Sequence, residues 1–528
     1  MTTAIVTDHP ANIATVALGT TGLTTAQVVA IARYDATVTL TDEAIAAMEF
    51  SRDVIEGLAS DSLPHYGVST GFGALATKSI SPELRAQLQR SLVRSHAASS
   101  GAEVEREVVR ALMALRLATV ATGRTGVRAS TAQRYADMLN AGITPIVGEY
   151  GSLGCSGDLA PLAHCALAVV GEGDVRDANG TKLTAAEALA AADLEPVELR
   201  EKEGLALING TDGMLGMLSM ALHDLEDLVA LADIAAAMSV EGLQGTDKVF
   251  AAHLQALRPH PGQAQSAANI RAVLAGSPII AEHETAGFTR VQDAYSLRCA
   301  PQVHGAVRDT MAHARSVAER ELGSAIDNPA VTLDGKVESN GNFHGAPIGY
   351  VLDFLAIAVA DLASMSERRT DRFLDPARSG GLPPFLADDA GVDSGHMIAQ
   401  YTQAGIVSEL KRLAAPASVD SIPTSAMQED HVAMGWAAAR KLRRAIDGLR
   451  RVVAIELLTA ARGIELRAPL TPAPVSQAVI DALRTRVAGP GPDRYLAPEI
   501  AHAVDLVEDG TLLRAARQAA TAAGNDIR

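Results

Sequence analysis

The chain has 528 residues, 48% of them apolar but only 3% aromatic, so its interior must be filled by Ala, Leu, Val and Ile, the mixture of closely packed helices. At the usual ~150 residues per domain this length means three or four domains, unless one large helical body carries it. Its 45 basic and 62 acidic side chains leave a net charge of −17, which repels a phosphate backbone and argues against nucleic acid as a partner.

In chain order, residues 1–20 carry no Lys or Arg and are broken by Asp8, Pro10 and Asn12, unlike a secretory leader. From Ala141 to Pro161 the chain reads AGITPIVGEYGSLGCSGDLAP, a density of glycine that predicts a special loop rather than a helix or ordinary strand. Asp158 and Pro161 look like the start of a helix beyond it. A small hairpin is expected around Asn179-Gly180, and a second around Asp334-Gly335. After Asn209, the residues Leu215, Leu218, Leu222, Leu225 and Val229 recur at helical spacing, with Thr211 or Asp212 placed to cap the start. Another helix is expected from about Ile348 to Arg369, apolar almost all the way round. Its most apolar part, Leu352 to Met365, is too short for a bilayer and holds Asp353 and Asp361, so no membrane span is expected. A third helix is predicted from about His431 to Arg462, with Gly463 as its cap. The fold expected is mainly α, a long central helical bundle with a loop-rich N-terminal head and a few short β-hairpins. Its parts would be residues 1–205 as the head, 206–475 as the bundle and 476–528 as C-terminal helices.

Few segments point to chemistry. Cys155, Cys165 and Cys299 are too sparse to staple a secreted scaffold, so a reducing, cytoplasmic setting is expected. His304, His344 and His431 lack the spacing of a metal motif, so no metal is expected. The glycines before Cys155 are not followed by the Lys-Ser/Thr of a phosphate loop, nor do they form a dinucleotide fingerprint. What remains is the tripeptide Cys155-Ser156-Gly157.

Together with Tyr66–Gly73 (YGVSTGFG), Leu205–Thr211 (LALINGT) and Gln292–Cys299 (QDAYSLRC), this tripeptide resembles the aromatic amino-acid ammonia-lyase and aminomutase family, over essentially the whole chain. The resemblance implies that residues 155–157 cyclise into the prosthetic group 4-methylidene-imidazol-5-one, with no external cofactor. The Gly157 nitrogen would attack the carbonyl of residue 155, which only an unhindered glycine in a strained loop permits. Two waters leave, one of them carrying the Ser156 hydroxyl. The family's usual Ala is replaced by Cys155, but only the backbone of that residue enters the ring.

Site roles are implied by the same resemblance. Tyr66 falls on the family's catalytic base, although a tyrosine before glycines is by itself more often a packing residue. Asn209 falls where the ring and the substrate amine are held, and is equally compatible with a local cap. Arg298 is the expected clamp for a substrate carboxylate, with Tyr295 and Gln292 beside it. Asn328 in AIDNP is expected near the ring and Phe343 in GNFH near the substrate side chain. The pairs Ser95-His96 and Gln428-Glu429 match the histidine-deaminating members, and His96 and Glu429 suit an imidazole, whose unpaired nitrogen would cost ~1–3 kcal/mol. The implied reaction is non-oxidative deamination of L-histidine to trans-urocanate and ammonia, with Glu429 sharing in proton transfer, by a homotetramer whose subunits share sites. Deamination of phenylalanine or tyrosine, or an aminomutase, is the alternative.

Overall fold

A computed structural model of the chain describes residues 9–60, 65–71, 73–285 and 291–528; residues 1–8 and Phe72 of the YGVSTGFG segment lie outside them. Among the described residues, α-helices dominate and no strand exceeds four residues, the mainly α fold that an aromatic-poor, alanine-rich chain predicts. Two compact units are assembled from interleaved segments. The first comprises Met1–His223, Arg315–Asp353 and Pro416–Arg440, the second Asp224–Ala314, Phe354–Ala415 and Lys441–Arg528.

In the first unit the strands Thr15–Leu18 and Thr37–Leu40 pair in parallel around the helix Thr25–Arg33. That helix starts on a reciprocal cap in which Gln27 N donates to Thr24 Oγ1 and Thr24 N to Gln27 Oε1. The sequence reading did not anticipate this pair, because four-residue strands with alternating burial leave almost no periodic signal. Both expected hairpins form, Asp174–Arg176 against Lys182–Thr184 and Ala330–Val331 against Val337–Glu338. The glycine-rich segment is more ordered than expected. Thr144–Pro145 joins the first hairpin, and Gly148–Tyr150 pairs antiparallel with Ser100–Glu103. The helix after the tripeptide runs Leu159–Val169, entered from Asp158.

Three long helices match the expected segments with shifted ends. Asp212–Gly242 buries Leu215, Leu218, Leu222, Leu225 and Val229, and its Met and Ala faces are buried as well. Ala346–Leu374 is longer than predicted. By length and composition it could cross a membrane, yet 61% of its most apolar window is buried in the protein, as in a core helix. The third helix runs Gly435–Glu465, so His431 precedes it and Gly463 lies inside it rather than capping it. A Cβ on Gly463 would sit 2.5 Å from the Phe373 ring; this glycine admits a close neighbour.

The second unit buries charge as well as apolar surface. Arg369 and Glu456, both fully buried, pair at 2.5 Å, and Ser239 Oγ donates to Glu456 at 2.7 Å. His304 and Arg308 both bind the buried Asp233 carboxylate. Such pairs hold because each charge has its partner and its hydrogen bonds.

Candidate active site

The chemistry-bearing loop of the first unit is tied down on both sides of Ser156. Upstream, Gly345 N donates to Gly154 O at 2.8 Å and Gly154 N to Ser152 Oγ at 3.2 Å. Downstream, Asp158 N donates to Gly210 O at 2.7 Å, and the Asp158 carboxylate accepts from Ser152 Oγ, Gly213 N and Met214 N at 2.7–2.9 Å. Asp158 thus satisfies the first free N–H groups of the helix Asp212–Gly242, the task the sequence reading had given to Thr211 or Asp212. Burial pushes its carboxyl up to about 7 against those donors.

Between these anchors the backbone leaves no room for a side chain at residue 157. Gly157 has φ +78°, and a Cβ there would lie 2.2 Å from Gly210 O. A conformation reserved for glycine, pressed against a second glycine, is what closure of the 157 nitrogen on the 155 carbonyl requires. The residues present therefore fit the cyclised prosthetic group. Cys155 is 5% exposed, and burial, with Glu429 beside it, pushes its thiol up to about 11. Cys155 is an unreactive neutral thiol at neutral pH.

Ser156 Oγ donates to Glu429 Oε1 at 2.9 Å, and Thr424 Oγ1 donates to Glu429 Oε2 at 3.0 Å. Glu429 reaches this position because Thr424 and Glu429 bridge through their backbones across Ser425, Ala426 and Met427, all three left-handed without being glycine. Three consecutive strained residues are a costly turn, of a kind found where function needs it.

His96 ends the helix Arg85–His96, its Nδ1 2.9 Å from Leu92 O. A carbonyl only accepts, so Nδ1 carries the hydrogen and Nε2 presents a lone pair. Burial lowers its basicity, opposed by the Leu92 bond and Glu429. Tyr66 lies in the turn after His65, and its hydroxyl oxygen accepts from Gly73 N at 3.2 Å. The backbone N–H that addresses the phenol oxygen is the first of the 3-10 turn Gly73–Leu75.

These groups share one cavity of about 800 Å3, lined by Tyr66, His96, Cys155, Ser156, Asn209, Asn328, Phe343 and Glu429 among others. Eight of the expected site residues, scattered over the sequence, are thereby brought together. Gly157 adjoins them in the loop. Gln292, Tyr295 and Arg298 belong to the second unit, where Tyr295–Arg298 is one helical turn with Tyr295 71% exposed and the Arg298 guanidinium 4.8 Å from the Tyr295 ring centroid. The cavity also holds a pair that the sequence reading kept apart. His344 and His431 stack at 5.7 Å with planes 5° apart, and His344 Nε2 lies 3.2 Å from His431 O. They are 87 residues apart in sequence, and no local motif announces them.

This geometry has known counterparts. A family model described as aromatic amino acid lyase matches residues 23–485. The histidine ammonia-lyase of Streptomyces avermitilis is 67% identical over 503 residues, 95% of this chain and 98% of its own. Among solved structures, the histidine ammonia-lyase of Trypanosoma cruzi superposes with a TM-score of 0.88 at 38% identity, covering 95% of each chain. The tyrosine aminomutase of Streptomyces globisporus superposes with 0.90, also at 38% identity, over 97% of this chain and 99% of its own. A match over most of the length, with Cys155 and Ser156 of the tripeptide in the cavity wall, leads to one conclusion: this chain belongs to the aromatic amino acid lyase family.

Proposed function

We propose that the protein is a histidine ammonia-lyase, releasing ammonia from L-histidine to leave trans-urocanate. The observation that carries this reading is the meeting of Ser156, Glu429, His96 and Tyr66 around one cavity, in a chain 67% identical to a protein named for that activity. Cys155, Ser156 and Gly157 form the family's prosthetic group. That group supplies an electrophilic methylidene carbon, which makes the substrate amine a better leaving group.

The remaining work falls to side chains. The β-proton of histidine is weakly acidic, and Tyr66 takes it, its oxygen held by the Gly73 N–H. The Glu429 carboxylate accepts the single N–H of a neutral imidazole, and both it and the His96 Nε2 lone pair accept when the ring is protonated, so the orientation is set before the β-proton moves; Glu429 also shares in proton transfer. Phe343 lies along the ring, and Asn209 and Asn328 hold the amine and prosthetic-group end. Arg298, with Tyr295 and Gln292, clamps the carboxylate. A planar guanidinium can bind both oxygens, and in a chain of net charge −17 a local cation is needed to receive an anionic group.

The working form is a homotetramer whose subunits share sites. Its support is the uncovered stripe Tyr350, Phe354 and Ile357 on the helix Ala346–Leu374, 46–49% exposed at helical spacing. The cytoplasm is the proposed setting, with all three cysteines free.

Purified protein supplied separately with L-histidine, L-phenylalanine and L-tyrosine tests the substrate. Urocanate absorbance should grow with histidine alone. Cinnamate-type absorbance with either other amino acid would move the assignment to phenylalanine or tyrosine deamination. A β-amino acid product would move it to an aminomutase, the activity named in one of the structural neighbours.

A further inference from the structure

Beneath Asn209, outside the cavity lining, lies a buried ion pair to which the mechanism above gives no role. Lys202 Nζ is 2.5 Å from Asp327 Oδ2 and both side chains are fully buried. Lys202 also donates to Thr125 O at 2.9 Å. Its backbone is left-handed, φ +68°, at the entry to the short helix Glu203–Ala206 that leads to Asn209. A lysine buried in a strained conformation costs stability unless its partner holds it.

The other oxygen of that carboxylate faces the site. Asp327 Oδ1 accepts from Asn328 N at 2.8 Å and lies 3.5 Å from Asn209 Nδ2, which also donates to Asn328 O at 2.9 Å. A carboxylate and a carbonyl can only accept. The NH2 end of the Asn209 amide must therefore face them, and its Oδ1 is the end left for a ligand. Arg116, buried in the same region, fixes the backbone on either side by donating to Asn209 O at 2.7 Å and Ile326 O at 3.0 Å.

We propose that Asp327, paired with Lys202, is a positioning residue that sets the orientation of the Asn209 amide, so that residue 209 offers the cavity a hydrogen-bond acceptor for the substrate amine. Asp327 does not line the cavity and acts through Asn209. This inference rests on the assignment of Asn209 to the amine end of an amino-acid substrate. With an amide at 327 an NH2 end can face Asn209 in place of an acceptor, and the Asn328 carbonyl alone is left to hold its orientation.

The test separates amine recognition from general damage. In a Ser156→Ala background, which binds without turnover, Asp327→Asn should weaken L-histidine by about tenfold while urocanate, which lacks the amine, changes by less than about twofold. Lys202→Met/Asp327→Asn removes both charges together and leaves no unpaired buried ion. It should show the same selective loss and covers the case in which the single variant fails to fold. Equal weakening of both ligands, or of neither, in a folded variant would overturn the proposal. The substrate assignment fails separately, if unmodified protein makes no urocanate from histidine.

Discussion

Cys155 and Ser156 are neighbours in one loop with opposite expected sensitivities. In the proposed cyclisation only the backbone of Cys155 enters the ring, whereas the Ser156 hydroxyl must leave. Cys155→Ala should therefore keep urocanate production within about threefold, and Ser156→Ala should lower it by roughly three orders of magnitude or more, both read by absorbance. A second single-residue prediction concerns acid stability. His396 is buried with Nδ1 3.1 Å from Thr459 Oγ1, and burial, with Arg462, Arg484 and Arg494 nearby, lowers its pKa from 6.5 to about 3. A depressed folded-state pKa gives stability that is complete above 6.5 and is lost as pH falls toward 3, with a slope of up to about 1.4 kcal/mol per pH unit. Melting temperatures of the parent chain should fall more steeply over that window than those of His396→Gln. Parallel curves would remove this histidine from the account.

Element boundaries show what a sequence can and cannot carry. The long helices were legible because Leu215, Leu218, Leu222 and Leu225 repeat at spacings that bury one face. The start of Gly435–Glu465 was not, since the residues before it are drawn back by the Thr424–Glu429 bridge through a left-handed turn without glycine. The cap of Asp212–Gly242 was misread for a related reason. Its acceptor, Asp158, is 55 residues from the donor Gly213, and sequence patterns see only local caps. The same bond yields a prediction. Asp158→Ala leaves two buried N–H groups without an acceptor and unhooks the tripeptide loop, so it should cost about 2–5 kcal/mol in chemical unfolding. It should also reduce the fraction of chains that cyclise, read by intact mass. A variant as stable as its parent and fully cyclised would contradict the capping role. Motif residues of the site were legible through resemblance, but the Lys202–Asp327 pair joins positions 125 apart, and nothing local to AIDNP, where Asp327 stands, points to Lys202.

For the whole molecule, composition excluded more than it specified. The scarcity of aromatics and the acidic balance pointed to a helical body without affinity for nucleic acid, but left open how many bodies there are; the structure divides the chain into two compact units of interleaved segments. Assembly belongs to this scale. Light scattering should give about four times the 54.8 kDa chain mass. Ile357→Glu, in the exposed stripe with Tyr350 and Phe354, should shift the population toward smaller species. A monomer with full activity would refute shared sites.

The central claim is that the loop held between Gly154 and Asp158 becomes the electrophile of the reaction. The most direct measurement is the mass of the peptide containing Cys155-Ser156-Gly157, taken from protein purified without substrate. The peptide should be lighter than its encoded mass by two water molecules, with both losses confined to residues 155–157 and absent from Ser156→Ala. A peptide of unaltered mass from protein that still converts histidine to urocanate would contradict it.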